Sequence, residues 1–179
     1  MSWAIWITGP TGSGKSTVAH ALVMACGQRG HRVRLLTLED VARDLELGLP
    51  LSLASEAVAY RALIHAARLL TGAGVPVVID AASPRRAWRD LARTAIARFA
   101  EVELVCPPEI CGERAQTARW RDAVAEGAST WVVELPYERS LAPELTVFTE
   151  AVGPWSAVEE ALHLADRLIH AARHEEATS

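Results

Sequence analysis

The sequence predicts an α/β protein built on a central parallel five-stranded sheet with helices on both faces. Three observations support this prediction. Short apolar segments alternate with longer segments whose apolar residues recur every three or four positions, as in strands that alternate with amphipathic helices. A glycine-rich stretch separates the first strand from the first helix. Acidic residues stand at the ends of the second and third strands, at the edge where parallel sheets bind ligands.

The composition is that of a globular protein. The chain has 179 residues, half of them hydrophobic, which suits a single domain over residues 1–179. A net charge of −4 and the lack of a long apolar run lead us to expect neither a nucleic-acid partner nor a membrane partner. We expect no signal peptide, because the sequence begins directly with a core strand. The three cysteines are odd in number and lack metal-ligand spacing, which indicates reduced thiols in a cytoplasmic protein.

The apolar patterns place the strands and helices along the chain. The predicted strands cover residues 3–8, 32–38, 76–80, 101–105 and 145–149. The predicted helices cover residues 15–29, 52–70, 84–98, a segment that starts at about 108, and 156–173. A short helical or loop segment follows the second strand, and residues 174–179 are expected to form a frayed tail.

Local signals define where several of these helices begin and end. Gly30 stops the first helix, and Gly72 and Gly74 close the helix over 52–70. Ser83 is the predicted N-cap of the next helix, with Pro84 in its first turn, because a serine oxygen accepts the free N–H groups there and proline has no N–H to lose.

The glycine-rich stretch matches the pattern G-x-x-x-x-G-K-[ST], the phosphate-binding loop of nucleoside triphosphatases and kinases. Backbone N–H groups of such a loop surround phosphate oxygens, and the following helix adds the positive end of its dipole. We expect Lys15 to reach the β- and γ-phosphates and the Ser16 hydroxyl to ligate Mg²⁺. The sequence therefore predicts the P-loop NTPase/kinase fold with ATP and Mg²⁺ as cofactors. The predicted ATP-binding residues are Gly9, Thr11, Gly12, Ser13, Gly14, Lys15, Ser16 and Thr17.

A kinase also needs a group that orients or deprotonates the hydroxyl of its acceptor. Asp40 is the candidate, because it follows the second strand, which we expect to lie next to the first. Arg43 lies three residues further on and would bind an anionic group of a small-molecule hydroxyl acceptor. Asp40 is alternatively a helix cap, and a shift of one residue in register would give its catalytic role to Glu39.

Two further candidates follow the third and fourth strands. Asp80 ends an apolar strand, where a carboxylate would contribute to the magnesium site, and its alternative role is to cap the next turn. The polar stretch over residues 113–127 is predicted to be a lid that excludes water from the site. Arg114 is the candidate for stabilising charge on the transferred phosphoryl group, and the alternative is an ordinary solvated helix face.

Several segments together resemble the adenylyl-sulfate kinase family over residues 6–147. The matching segments are 6–19, 40–43, 83–86, 105–114, 136–138 and 141–145, which are similar to the family's phosphate loop, Asp-Asn-Val-Arg, Ser-Pro-His-Arg, strand-four exit with Cys-x-x-Arg, Pro-Tyr-Glu and Pro-Glu-Leu segments. The first of these is shared by phosphate-loop kinases in general, and the later ones together are more specific.

The resemblance implies a kinase that phosphorylates the ribose 3′-hydroxyl of adenylyl sulfate, with Mg²⁺ bridging the ATP phosphates. Asp40 would then orient this hydroxyl, and Arg43 and Arg61 would hold the phosphosulfate anion. The substrate-side residues that it implies are Arg43, Arg61, Ser83, Arg86 and Trp131. Trp131 would stack on adenine, and Ser83 corresponds to a serine that is phosphorylated in some members. A homodimer is left open.

The sequence departs from the family pattern on the substrate side. Leu38-Glu39-Asp40 stands where the family has Asp-Gly-Asp, and Ala59 replaces an asparagine near the substrate arginine. Residues 115–120 lack the lysine of the family's lid. These departures leave open a kinase of the same architecture that acts on another small-molecule hydroxyl. A nucleotide-driven switch without kinase activity is the remaining alternative.

Overall fold

The computed structural model describes residues 2–47, 52–114, 136–150 and 154–177. The strands are β1 (Ala4–Thr8), β2 (Arg34–Thr37), β3 (Val77–Asp80), β4 (Phe99–Val105) and β5 (Leu145–Phe148). The helices are α1 (Lys15–Gln28), α2 (Leu38–Asp44), α3 (Leu53–Gly72), α4 (Arg86–Ala95) and α5 (Pro154–Ala177). Residues 108–114 are also helical. Among the described residues, none of the helices has the length and hydropathy that a bilayer span requires.

The five strands form one parallel sheet in the order β2-β3-β1-β4-β5. This confirms the predicted α/β fold class, but the expectation that the second strand lies next to the first is wrong. β3 separates them, so that Asp80 lies opposite Ile7 of β1 on one side and Thr37 of β2 on the other. The reason is burial: all four residues of β3 are buried, whereas β2 begins with the exposed Arg34 and suits an edge.

Alternate residues of the strands feed two separate cores, as the period-two geometry of a strand requires. Ile5, Ile7 and Leu104 face α1 and α5 on one side of the sheet. Trp6 and Ile79 face α3 and α4 on the other side. Both faces are therefore covered, and ligands can reach the sheet only at its edges and at the ends of its strands.

A stack of aromatic rings fixes α3 and α4 on the sheet. Tyr60 of α3 stacks between Trp6 of β1 and Trp88 of α4, with ring centroids 6.2 and 5.4 Å away. The Trp6 indole N–H donates to the Ala81 carbonyl at 3.0 Å, and the Tyr60 hydroxyl accepts the Ser83 N–H at 2.8 Å. The stack therefore also holds the residues that follow β3, which begin at the carboxyl edge of the sheet.

Several helix ends differ from the sequence prediction, and α4 ends at Ala95 rather than at about Arg98. The N-cap residue of α4 is Arg85, not Ser83, and the Arg85 side chain makes no capping hydrogen bond. Ser83 instead has a left-handed φ of 48° and is fully buried. Its N–H donates to the Tyr60 hydroxyl of α3. The last helix continues to Ala177, so the predicted fraying is wrong for residues 174–177. The segment after β2, for which the sequence allows either helix or loop, is the helix α2.

Candidate active site

The phosphate loop between β1 and α1 has a positive φ at Gly9, Gly12 and Gly14, and at the first two a side chain would also clash with neighbouring backbone. Gly9 has φ 145° and Gly12 has φ 85°, both outside the range that other residues adopt easily. A Cβ atom on Gly9 would lie 2.5 Å from the Leu104 carbonyl oxygen, and one on Gly12 would lie 2.1 Å from the Cys111 carbonyl oxygen. The loop thus packs closely against β4 and the helical residues 108–114, and these neighbours restrict its conformation.

Polar groups inside this loop are poised for an anion. The Ser13 hydroxyl is fully buried and has no hydrogen-bond partner among the described residues. The Lys15 ammonium donates to the Pro10 carbonyl oxygen at 2.9 Å. Burial lowers the pKa of Lys15, and the nearby negative charges of Asp80 and Glu39 oppose that shift. An unpaired buried hydroxyl beside a buried ammonium fits a phosphate group.

Asp80 is the carboxylate best placed to act with this loop. Its residue is 6% exposed at the end of β3, and its backbone is in register with Ile7, two residues before Gly9. Ser16 and Thr17 lie exposed in the first turn of α1. A carboxylate and a hydroxyl at the edge of a phosphate loop are the oxygen ligands that Mg²⁺ prefers. The residues present therefore fit a magnesium ion held with a triphosphate.

The two acidic residues after β2 have different surroundings. Both carboxylate oxygens of Asp40 are engaged, since Oδ2 accepts from the Thr37 hydroxyl at 2.8 Å and Oδ1 pairs with Arg43 at 2.8 Å. Thr37 is the N-cap of α2 and accepts the Asp40 N–H at 3.0 Å. The helix cap that was the alternative role of Asp40 is thus provided by Thr37.

Glu39 belongs to the charges around the phosphate loop. Although its side chain is exposed overall, desolvation by the surrounding protein raises the pKa of its carboxyl above the ordinary 4.5. The negative charge of Asp80 adds to this rise, and the positive charge of Lys15 offsets part of it. The charges of Asp80 and Lys15 therefore act on Glu39, and the charges of Asp80 and Glu39 act on Lys15.

The residues between β3 and α4, 81–85, form the β3–α4 loop, which faces the start of the phosphate loop. The Thr8 hydroxyl, one residue before Gly9, donates to the Ala82 carbonyl at 2.8 Å and lies 3.2 Å from the Tyr137 hydroxyl. Thr8 thus connects β1 both to this loop and to the segment over residues 136–140. Sequence analysis missed Thr8, and its only signal was a polar residue at the end of an otherwise apolar strand.

Two of the segments on which the family resemblance rests are in direct contact. The Glu138 N–H donates to the Pro84 carbonyl at 2.8 Å, and the Arg86 N–H donates to Oε2 of Glu138 at 2.8 Å. These paired hydrogen bonds join the segment 136–140 to the β3–α4 loop and the start of α4. Nε of Arg86 is buried without a hydrogen-bond partner among the described residues. The predicted substrate residue Arg86 therefore lies at this junction.

The other predicted substrate and lid residues are spread more widely. Ser83 is fully buried, with its hydroxyl directed to the Arg85 carbonyl at 3.4 Å. Arg61 is exposed on α3. The Arg114 guanidinium lies 3.4 Å from the Thr149 carbonyl and 3.8 Å from the Cys106 sulfur, at the ends of β5 and β4. Trp131 and most of the predicted lid fall within residues 115–135, outside the described residues.

A cavity of about 320 Å³ opens beside the phosphate loop at the carboxyl ends of β4 and β5. Its walls are mostly apolar, with Arg139 and Glu150 as the charged residues. Arg139 is held by a buried carboxylate of β4, since its guanidinium lies 2.9 and 3.0 Å from the two oxygens of Glu103. The sequence signal for this pair is two glutamates, Glu101 and Glu103, at alternate positions of an apolar strand.

A phosphate loop at the carboxyl edge of a parallel five-stranded sheet, with a buried carboxylate on the neighbouring strand, defines a nucleotide-binding protein of the P-loop kinase class. The family model described as adenylylsulphate kinase matches residues 1–148. The chain belongs to the adenylylsulphate kinase family.

Individual relatives agree with this assignment over most of the chain. A protein of Archaeoglobus fulgidus named probable adenylyl-sulfate kinase is 36% identical over 151 residues, which are 84% of this chain and 97% of the relative. The adenylyl-sulfate kinase of Rippkaea orientalis is 32% identical and covers 90% of this chain and 93% of its own length. The structure of the Mycobacterium tuberculosis APS kinase CysC in complex with AMPPNP and APS is 28% identical, with a TM-score of 0.72 over 92% of this chain and 96% of that one.

Proposed function

We propose that the protein transfers the γ-phosphate of ATP to the 3′-hydroxyl of adenylyl sulfate, which gives ADP and 3′-phosphoadenylyl sulfate. The observation that carries this proposal is the contact between the β3–α4 loop and the segment 136–140 beside the phosphate loop. Both segments resemble those of adenylyl-sulfate kinases, and both contact Thr8, the residue before the phosphate loop, so an acceptor bound between them would lie near that loop.

The nucleotide side of the site is assigned to the phosphate loop. Its N–H groups and the buried Ser13 hydroxyl would surround the phosphates, and Lys15 would exchange its contact with the Pro10 carbonyl for the β- and γ-phosphate oxygens. Ser16 and Asp80 would hold Mg²⁺, directly or through water. The ion, when bound, neutralises charge on the phosphates, and the roles of these residues are to bind and orient the triphosphate.

Glu39 and Asp40 are the two candidates for orienting the acceptor hydroxyl. The surroundings of Glu39 favour it over Asp40. A general base works best when its pKa lies near the working pH, and desolvation by the surrounding protein and the charge of Asp80 raise the pKa of Glu39 towards that range. Asp40 is engaged by Thr37 and Arg43. Asp40 remains the candidate that the sequence favoured, and it would serve if its contact with Arg43 opened when an anionic acceptor bound.

The acceptor's anionic group is assigned to Arg43, Arg61 and Arg86, and charge on the transferred phosphoryl group to Arg114. Trp131 would stack on adenine. A role for Ser83 at the acceptor would be indirect, because its side chain is fully buried and its backbone shapes the β3–α4 loop. We further propose that the enzyme is cytoplasmic, and light scattering on the purified protein tests whether it is a homodimer.

Direct product detection tests the proposal. The purified protein is mixed with ATP, Mg²⁺ and adenylyl sulfate, and 3′-phosphoadenylyl sulfate is measured by chromatography together with ADP. We expect ADP and product in equal amounts, both dependent on the acceptor. ADP release that is the same with and without any acceptor would favour a nucleotide-driven switch instead.

A kinase for another small-molecule hydroxyl is the second candidate, and one structural observation favours it. Leu38 and Ala59, which replace an aspartate and an asparagine of the family pattern, pack in one small apolar cluster with Ala42 and Leu47. Two polar positions on the substrate side have therefore been lost together and filled by hydrophobic contacts. The same assay with a panel of nucleosides, sugars and other alcohols decides between the two, since only the true acceptor accelerates ADP release.

A further inference from the structure

Arg89 is an arginine in the middle of α4 that is almost completely buried, with 1% of its surface exposed. A guanidinium carries five N–H donors and its charge at every physiological pH, so burial is tolerated only where several acceptors surround it. Neither the phosphate loop nor the base assigned above explains this residue.

The partners of Arg89 come from three separate parts of the chain. Its Nη1 donates to the Ser83 carbonyl and its Nη2 to the Glu138 carbonyl. Its Nε lies 2.8 Å from Oε1 of Glu101 on β4. This contact is an ion pair without a hydrogen bond, because the Nε–H does not point at the carboxylate oxygen. The guanidinium also lies over the Tyr137 ring, 5.0 Å from its centre. One side chain thus binds the β3–α4 loop, the segment 136–140 and the sheet.

These contacts stabilise the backbone of the β3–α4 loop and of the segment 136–140. Ser83 has a left-handed φ of 48°, which a residue with a side chain keeps only when its surroundings impose it. Its N–H is fixed by the Tyr60 hydroxyl and its carbonyl by Arg89. On the other side, Glu138 binds the backbone of Pro84 and Arg86 while its own carbonyl binds Arg89.

We propose that Arg89 is a positioning residue that holds the β3–α4 loop and the segment 136–140 in one arrangement and thereby sets the affinity for the phosphate acceptor. This inference rests on the proposed function, because it takes these two segments as the acceptor's wall. A lysine at this position would keep the charge, but its single nitrogen would not occupy the two separate positions from which Nη1 and Nη2 reach the Ser83 and Glu138 carbonyls. Arg89→Lys should therefore loosen the wall while leaving the phosphate loop intact.

The matched control is Arg93→Lys. Arg93 lies one turn further along the same helix and binds Glu144 and Glu101. Among the described residues it makes no hydrogen bond or ion pair with Ser83, Tyr137 or Glu138. The first measurement is amide hydrogen exchange of Ser83, Arg86 and Glu138. We expect exchange at these amides to become at least about tenfold faster in Arg89→Lys and to stay unchanged in Arg93→Lys, with β1 unchanged in both.

The second measurement is steady-state kinetics. We expect Arg89→Lys to raise KM for adenylyl sulfate at least about tenfold while KM for ATP stays within about twofold of wild type. Unchanged exchange in Arg89→Lys, or faster exchange with an unchanged acceptor KM, would overturn the inference. If Arg89→Lys does not fold, Arg89→Met combined with Glu101→Gln removes both buried charges and is judged by the same measurements.

The two proposals can fail separately. A wild-type protein that does not phosphorylate adenylyl sulfate sinks the proposed function. Hydrogen exchange needs no substrate, so in that case the positioning role of Arg89 stands or falls on the exchange of these three amides alone.

Discussion

Lys15 is the only lysine in the sequence, and it stands in the phosphate loop. All other long basic side chains are arginines, which bind anions through a planar fork, whereas an ammonium is a compact point charge. Its contact with the Pro10 carbonyl keeps the ammonium inside the loop, where a phosphate oxygen can replace the carbonyl.

Removal of this charge should cost most of the activity. We expect Lys15→Ala to lower kcat by at least about 100-fold, because preorganised charge in a water-excluded site is a dominant part of phosphoryl-transfer catalysis. Circular dichroism should match that of wild type. Arg32→Ala, which removes an exposed cation before β2, is the control and should change kcat by less than about twofold. Turnover near wild type in Lys15→Ala would contradict the assignment of the loop.

The pH dependence of the rate should separate Glu39 from Asp40. A base must be deprotonated to act, and desolvation by the surrounding protein raises the pKa of Glu39. The rate should therefore fall as the pH drops through a value above the ordinary 4.5 of a glutamate. We expect Glu39→Gln to lower kcat by about 100-fold or more and to remove this acidic limb from the profile of kcat/KM.

Asp40→Asn is the companion variant. It breaks the ion pair with Arg43, so we expect it to raise KM for the acceptor and to leave the acidic limb in place. If Asp40→Asn removes the limb and Glu39→Gln does not, the base is Asp40, as the order of residues after the second strand first suggested.

The phosphate loop depends on the helical residues 108–114 as much as on its own glycines. Gly12 and Gly30 have nearly the same left-handed backbone, with φ of 85° and 83°. They differ in what surrounds them, because a Cβ on Gly12 would lie 2.1 Å from the Cys111 carbonyl oxygen and one on Gly30 would meet nothing within 4 Å. This pair therefore separates backbone strain from a steric clash.

Alanine at the two glycines should have different effects on nucleotide binding. We expect Gly30→Ala to cost about 1 kcal/mol of unfolding free energy, the price of left-handed backbone, with unchanged ATP affinity. Gly12→Ala adds the clash with Cys111 and should weaken ATP binding at least about tenfold, since the loop must move away from the helical residues. Urea unfolding and calorimetric titration with ATP measure both effects. Equal ATP affinities in the two variants would show that Cys111 does not fix the loop.

The order of the strands explains which acidic residue meets the phosphate loop. β3 lies between β1 and β2, so its terminal Asp80 is on the strand next to the one that leads into the loop. The residues after β2 follow a strand that is one position further away. The sequence gives no direct signal for this order, because strand pairing depends on contacts between residues distant in the chain. Burial of every side chain of β3 is the physical cause that favours the inner position.

Ion pairs connect the last part of the sheet to α4. Glu144, just before β5, binds Arg93 of α4 and accepts the Glu101 N–H of β4 at 2.7 Å. Burial on its own would raise the pKa of Glu144, but the hydrogen bonds from Arg93 and from the Glu101 N–H outweigh it and hold the pKa below its usual range. The folded protein therefore favours the charged form of Glu144.

The contribution of this carboxylate to stability should depend on pH. Since the pKa of Glu144 is lower in the folded state, its stabilisation is present above the ordinary value of 4.5 and is lost as the pH falls through the lower, folded value. We expect Glu144→Gln to lower the unfolding free energy by about 1 kcal/mol at pH 7, and this difference to disappear in acid. Urea unfolding at several pH values measures it. Glu159→Gln, at an exposed position of α5, is the control and should leave the curve unchanged.

The sequence by itself determined the class of fold and the nucleotide side of the site. Both depend on local patterns: strands and helices are encoded by the periodicity of apolar residues, and the phosphate loop is encoded by four fixed positions within eight residues. The residues 83–86 and 136–138 were also recognisable in the sequence, although nothing in the chain between them indicates that they touch.

Only the tertiary structure decided the strand order, the different surroundings of Glu39 and Asp40, and the contacts of Arg89. Each of these depends on groups that are distant along the chain: Arg89 binds a carbonyl 49 residues away, and the charges that act on Glu39 include Lys15 of α1 and Asp80 of β3. The sequence does not distinguish a buried arginine from an exposed one. A buried arginine differs in having protein acceptors in place of water around its guanidinium, and only the folded chain brings those acceptors together.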